Sequence, residues 1–107
     1  MYFRYLKERE GIDAIETDFG FATYLIRPTD CYIVDIYVAP EKRQSGLASK
    51  LADQIADIAK SKGIKVLTGS VDRRDPEASR NEKVLTAYGM RKAREDEHMT
   101  YFIKELT

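Results

Sequence analysis

Aromatic and β-branched residues in the first quarter of the chain come in short runs that glycine and turn residues interrupt. Residues 1–10, 12–18 and 21–27 are such runs, and Gly11 and a turn at residues 18–20 separate them. Short runs of this composition between turn residues predict β-strands joined by tight connections. The pattern therefore predicts a three-stranded antiparallel meander.

The middle of the chain changes from a strand pattern to a helix pattern and back. Residues 31–38 are almost continuously apolar, which predicts a strand buried on both faces. Apolar side chains then recur at i, i+3 and i+4 over residues 45–62, and Gly63 follows as a helix stop. Residues 64–71 are the next predicted strand. A helix that joins two strands of one sheet makes a right-handed crossover, so these two strands are predicted to be parallel.

The last third predicts a second helix at residues 77–88 and a closing hairpin at residues 89–94 and 98–105. The predicted fold is therefore α/β: a mixed, mostly antiparallel, twisted sheet of about seven strands with a central β-α-β crossover and two main helices. With 107 residues and no linker or repeat, residues 1–107 are predicted to form a single domain.

Charge and composition exclude several classes of function. The chain has 18 Lys+Arg against 18 Asp+Glu, which argues against nucleic-acid and membrane partners because both require a net basic surface. Cys31 is the one cysteine, so no intrachain disulfide and no metal site built on a cysteine cluster can form, and we interpret it as a small core residue. No apolar run reaches the roughly 20 residues of a membrane span. We expect a cytoplasmic protein without a metal.

The most informative stretch lies where the apolar strand meets the long helix. Pro40 ends the strand, and residues 41–48 form a basic, glycine-bearing connection into the helix. The first N–H groups of a helix lack intrahelical partners and carry partial positive charge, so they bind anions. Gly46 has no Cβ and lets the main chain approach phosphate oxygens closely. This stretch predicts a pyrophosphate site; an ordinary solvated start of a helix is the alternative.

The hexapeptide that begins at Arg43 fits the pattern Q/R-x-x-G-x-G/A. That pattern is the acyl-coenzyme A signature of the GNAT (GCN5-related) N-acetyltransferases, and the chain resembles that superfamily from about residue 31 to its C-terminus. The resemblance implies acetyl-CoA or coenzyme A as cosubstrate, with the pyrophosphate on the amides of the loop and the pantetheine along the preceding strand, which diverges from the next one. The binding residues implied are Ile36, Val38, Arg43, Gln44, Ser45, Gly46, Leu47, Ala48 and Asn81, the last with surface capping as its alternative.

The resemblance also implies that a primary amine attacks the thioester directly. Where polyamine-acetylating relatives carry a Glu-Asp pair, this chain has Val34-Asp35. Val34 cannot take up a proton, so Asp35 is the candidate that holds the acceptor's ammonium group or acts through water. An aspartate with a purely structural role is the alternative.

The family's general acid is a tyrosine on the second helix, and two counts place it differently. Counting back from Gly89 places Leu85 there, which the local geometry favours, whereas counting forward from Asn81 places Tyr88 there. A leucine cannot donate a proton, so Tyr88 is the candidate for the acid. Asp35 and Tyr88 are thus the two candidate catalytic residues. His98 lacks neighbours that would orient it as a base, so we interpret it as structural.

The family usually places two helices between its first and second strands, where they form one wall of the acceptor site. The strand pattern before residue 30 leaves no room for them, so the resemblance implies a minimal version with an open acceptor face. A small-molecule amine and a protein lysine both remain possible acceptors, and both a monomer and a homodimer are compatible with the sequence. The rival functions are a non-catalytic acyl-CoA-binding or regulatory module and a protein-interaction domain of the same fold.

Overall fold

The computed structural model describes residues 1–106. Its strands are β1 (Asp13–Thr17), β2 (Gly20–Ile26), β3 (Cys31–Val38), β4 (Val66–Asp72), β5 (Arg91–Glu95) and β6 (Met99–Glu105). Its helices are α1 (Tyr2–Glu10), α2 (Leu47–Ser61) and α3 (Ala78–Ala87), and a 3-10 turn (Pro40–Lys42) follows β3.

The six strands form one sheet in the order β1-β2-β3-β4-β6-β5. Neighbouring strands are antiparallel except for β3 and β4, which α2 connects and which run parallel. The structure confirms the predicted fold class, with its mostly antiparallel sheet and central β-α-β crossover. The sheet has one strand fewer than expected because the N-terminal segment is helical.

The strand predicted at residues 1–10 was wrong: residues 2–10 form α1. Leu6 is buried and the Phe3 ring lies 5.2 Å from that of Phe21 on β2, so one side of α1 packs on the sheet. Gly11 ends the helix with φ at +71°, its N–H donating to the Lys7 carbonyl oxygen at 3.1 Å. A glycine that follows a helical turn containing a basic residue such as Lys7 is a signal for the C-terminal end of a helix. The strand was predicted in spite of this signal because the segment is rich in aromatic residues.

The core lies between the sheet and α2. Leu51 and Ile55 present the buried stripe of α2, and they pack in one cluster with Cys31, Ile33 and Leu67 of the two parallel strands. Truncating such a buried leucine or isoleucine costs about 2–5 kcal/mol. Cys31 is fully buried, as the sequence predicted for a small core residue, and burial raises the pKa of its thiol to about 11, which disfavours the reactive thiolate.

The prediction that β3 is buried on both faces was also wrong. Val34 is 41% and Tyr37 44% exposed, and Asp35 is exposed as well. The pairing with β2 shifts between Thr23–Asp35 and Tyr24–Ile33, so Val34 is the extra residue of a β-bulge. The face of the sheet opposite α2, which we call the α1 face, is therefore open along the second half of β3.

Candidate functional site

The site begins where two parallel strands stop pairing. Cys31 of β3 pairs with Leu67 of β4, and Tyr32 pairs with Thr68, but the ladder ends there. Beyond it, residues 33–36 of β3 and Gly69 and Ser70 of β4 line a cavity of about 80 Å³. The expected divergence of the two strands is thus confirmed, and it frees backbone groups of both strands from pairing with each other.

This small cavity adjoins a larger groove of about 620 Å³. One wall of the groove is the end of β3 with the loop before α2, and the other wall is α3. The two spaces share four lining residues: Asp35, Ile36, Asn81 and Val84. A long, thin ligand can therefore lie from the loop to the divergence of the strands.

The loop before α2 presents its backbone to the groove. Gly46 has φ at +88° and forms the N-cap of α2 without a side-chain hydrogen bond to the first turn. Gln44 also has a positive φ, +65°, which is uncommon for a residue with a side chain. The Ser45 hydroxyl donates to the Lys42 carbonyl oxygen at 2.5 Å. The amides that open α2 therefore have no side-chain cap, and they are available to an anion.

Two basic side chains of this loop are held by the protein itself. The Arg43 Nε donates to the Val38 carbonyl oxygen at 3.1 Å, and its guanidinium lies 6.0 Å from the centre of the Tyr37 ring. The Lys42 ammonium lies 4.7 Å from the centre of the Phe19 ring. These contacts fix the loop against the end of β3.

The structure brings the predicted binding residues together, with one exception. Ile36, Val38, Arg43, Gln44, Gly46, Leu47 and Ala48 line the groove, and Asn81 faces them from α3. Ser45 does not line the groove; its hydroxyl is bonded within the loop.

Asp35 lies on the α1 face of β3 and lines both the groove and the small cavity. It takes part in none of the ion pairs formed among residues 1–106. Val34 lines the small cavity beside it. Strict alternation along a strand would point the side chains of Val34 and Asp35 to opposite faces, but the bulge at Val34 interrupts the alternation.

The structure separates the two candidates for the position of the acid. Leu85 lines the small cavity, and its methyl groups would lie 3.5–3.7 Å from a Cβ placed on Gly69. Tyr88 lines neither space, and its hydroxyl donates to the Asp53 carboxylate of α2 at 2.8 Å. Burial, and then this hydrogen bond, raise the pKa of the Tyr88 phenol. The count that leads to Leu85 therefore matches the geometry.

Sequence reasoning missed several polar residues around the site, among them Ser70, Arg80 and Lys83. Ser70 lines the small cavity and shares a hydrogen bond of 2.5 Å with the Tyr32 hydroxyl, while Arg80 and Lys83 line the groove from α3. Arg80 and Lys83 are one and two residues from Asn81, so helical spacing from Asn81 does not find them, although their mutual spacing of three places them on one side of α3. Ser70 depends on the register of two distant strands, which the sequence does not reveal.

His98 lies outside this region, half-exposed beside Glu97. Among residues 1–106, no group of three or more His, Cys, Asp or Glu side chains is arranged to hold a metal ion. None of the helices in the described part of the chain is long and apolar enough to cross a membrane.

Comparison with solved structures shows the same fold in several acetyltransferases. PaiA N-acetyltransferase from Thermoplasma acidophilum, in complex with coenzyme A, matches with a TM-score of 0.76 and 19% identity over 94% of this chain and 65% of that one. An acetyltransferase from Bacillus subtilis in complex with CoA matches with a TM-score of 0.73 and 16% identity over 97% of this chain and 84% of that one. The IAA acetyltransferase from Bacillus cereus matches with a TM-score of 0.68 and 18% identity over 82% of this chain and 70% of that one. Three of the matched structures, the PaiA enzyme among them, are longer proteins. This chain spans 66%, 65% and 64% of their lengths, a little under two thirds.

Sequence comparison identifies the family. A search of curated protein sequences found no match. The sequence model of the acetyltransferase (GNAT) family, in contrast, matches residues 5–81, more than half of the chain, including β3, the Gly46 loop and α2. The chain therefore belongs to the GNAT family of acetyltransferases.

Proposed function

We propose that this protein transfers an acetyl group from acetyl-CoA to a primary amine. The observation that carries the proposal is the groove of about 620 Å³ that runs from the uncapped start of α2 to the divergence of β3 and β4. The amides of residues 44–48 would bind the pyrophosphate, and the main chain at Ile36 and Val38 would bind the pantetheine. Coenzyme A bound to two structural neighbours supports this assignment.

The acceptor amine would approach from the α1 face, where Asp35 is exposed. An aliphatic ammonium at pH 7 is deprotonated in about one part in 10³ to 10⁴, which costs about 4–5 kcal/mol before attack. Asp35 would hold the ammonium group by charge attraction, and Val34 and Leu85 contribute neither a base nor an acid. The lack of an acid is tolerable, because a thiol with a pKa near 8.5 leaves as the thiolate at a cost of about 2 kcal/mol at pH 7.

Calorimetry of coenzyme A binding tests the site. Gly46→Glu adds bulk and negative charge at the start of α2 and should abolish binding. Gly63→Glu is the matched control, because both glycines have a positive φ, +88° and +78°, and neither has an atom within 4 Å of an added Cβ. Backbone strain is thus similar in the two variants. Binding that survives Gly46→Glu, or is lost equally in both, contradicts the proposal.

A non-catalytic CoA-binding or regulatory module is the second candidate. Leu85 in the small cavity and Val34 beside it favour this function, because both positions lack an ionisable group. Release of free thiol from acetyl-CoA in the presence of a panel of diamines, aminoglycosides and lysine peptides separates the two. Amine-dependent release supports the acetyltransferase, and tight CoA binding without release supports the module.

A further inference from the structure

Positively charged side chains line both walls of the groove. Lys42 and Arg43 belong to the loop wall, and Arg80 and Lys83 belong to the α3 wall. Coenzyme A carries a diphosphate and, on its ribose, a separate 3′-phosphate. The amides of the loop can satisfy the diphosphate, and lysine or arginine side chains can bind a terminal phosphate dianion through charge-assisted hydrogen bonds.

The loop cations are already engaged within the protein. The Arg43 Nε donates to the Val38 carbonyl oxygen, and the Lys42 ammonium lies over the Phe19 ring. These interactions leave other N–H donors of both side chains unused, but they hold both cations at the end of β3, beside the loop amides assigned to the diphosphate. Their positions against β3 therefore disfavour both as the side chains that bind a third phosphate.

The α3 cations are held less firmly. The Arg80 guanidinium pairs with the Glu77 carboxylate at 2.9 Å, with both side chains about half-exposed, 47% and 53%. Such an exposed pair contributes little, about 0–1 kcal/mol. Lys83, three residues further along the helix, forms no ion pair with any residue in the range 1–106.

We propose that Arg80 and Lys83 bind the 3′-phosphate of coenzyme A, and that Arg80 exchanges its Glu77 partner for the phosphate when the ligand binds. The inference rests on the proposed function, because it extends the same groove. Glu77 also lines the groove. Its carboxylate therefore competes for Arg80 and repels the phosphate, so it sets how strongly the protein prefers the phosphorylated ligand.

The test is the ratio of the dissociation constants of 3′-dephospho-CoA and coenzyme A, measured by calorimetry at low salt. Arg80→Ala and Lys83→Ala should each lower this ratio about 3- to 10-fold, with little change in the affinity for 3′-dephospho-CoA. Glu77→Gln should raise it by up to several-fold. Arg91→Ala, which removes an exposed arginine paired with Glu105 away from the groove, is the control and should leave it unchanged.

The outcomes distinguish this inference from the function on which it rests. Tight binding of both ligands with a ratio that Arg80→Ala and Lys83→Ala leave unchanged overturns the 3′-phosphate site and keeps the proposed function. A ratio that falls for Lys42→Ala and Arg43→Ala instead also overturns it, because the loop wall would then bind the phosphate. Failure of the wild-type protein to bind either ligand overturns both proposals.

Discussion

A single extra residue in β3 determines which side chains face the proposed acceptor. The bulge at Val34 interrupts the alternation of the strand, and both Val34 and Asp35 are exposed at the small cavity. Asp35 shares no ion pair with the rest of residues 1–106. An exposed charged side chain without an ion-pair partner contributes little to the stability of the fold, so the Asp35 carboxylate is accessible to a ligand in the groove.

Asp35→Asn should lower kcat/KM for the amine about 10- to 100-fold, because the neutral side chain no longer attracts an ammonium group. The dissociation constant of coenzyme A should stay within about twofold, since the loop amides are unaffected. Steady-state kinetics and calorimetry measure the two quantities, and Asp18→Asn in an exposed turn is the control. Equal losses of amine turnover and CoA binding point to a structural role for Asp35.

The pH dependence of the reaction rate should show that Val34 supplies no general base. Without one, the rate depends on the free amine present in solution and should rise with pH towards the acceptor's own pKa. Val34→Glu should flatten the profile and raise the rate at pH 7, by at most about 10²- to 10⁴-fold if the carboxylate is well positioned. Val34 is 41% exposed, so water can solvate the new charge and the fold should tolerate it.

A wild-type profile that is already level between pH 6 and pH 8, with chemistry shown to be rate-limiting, contradicts this prediction. Some other group would then remove the proton. A pre-steady-state burst of thiol release identifies the case in which product release limits the rate, so it must be measured first.

At the scale of elements, a polar cluster joins β3 and β4 just before they diverge. Asp30 accepts hydrogen bonds from Arg27 Nε at 2.7 Å and from the Thr68 hydroxyl at 2.6 Å, and Arg27 lies over the Tyr32 ring. Tyr32 in turn reaches Ser70 across the divergence. The cluster therefore ties the two strands together at the last point where their backbones pair.

Asp30→Asn should lower the free energy of unfolding at pH 7 by about 1–2 kcal/mol, because charge-assisted hydrogen bonds to a buried carboxylate are lost. The Arg27 hydrogen bond lowers the pKa of Asp30 below its ordinary 3.8. This stabilisation is thus present above pH 3.8 and is lost as the pH falls through the folded-state pKa. Urea unfolding of the wild type and of Asp30→Asn at pH 7 and pH 3 measures this stabilisation. A difference in unfolding free energy between the two proteins that is equal at both pH values contradicts the assignment.

Tyr88 joins α3 to α2 through its hydrogen bond to Asp53. Tyr88→Phe should leave kcat/KM within about twofold and lower stability by about 0.5–1.5 kcal/mol. Since the fold raises the phenol's pKa above its ordinary 10.0, this contribution is present below pH 10 and lost as the pH rises towards the folded-state pKa. A large loss of turnover in a folded Tyr88→Phe variant, measured beside its thermal unfolding, restores Tyr88 as the candidate acid.

At the scale of the whole molecule, the proposed ligand would contact three separate elements at once. The loop, β3 and α3 all line the groove, and α3 faces the loop across it. A ligand that contacts all three binds the native state alone, since the unfolded chain does not assemble these walls. Ligand binding should therefore stabilise the entire fold.

Coenzyme A at about 100 times its dissociation constant should stabilise the protein by about 2.7 kcal/mol. For a chain of this size the melting temperature should rise by roughly 10–20 °C. Differential scanning fluorimetry across a concentration series measures the rise, and the Gly46→Glu variant should show none. A melting temperature independent of coenzyme A favours a domain that keeps the fold without the ligand.

The local features of this protein follow from its sequence alone. The apolar stripe of α2, the glycine at its start and the strand before it lie within a short segment, so spacing and turn chemistry were enough to predict the crossover and the groove-lining loop. The C-terminal signal of α1 was present at Gly11 but was outweighed by aromatic content. Each of these features depends on neighbours only a few residues away.

Only the tertiary structure decided which side chains meet. The bulge at Val34 depends on the register with β2, and the choice of Leu85 over Tyr88 depends on how α3 packs against Gly69 and Asp53. These are contacts between segments distant along the chain, and no periodicity within one segment encodes the register or the orientation of its partner.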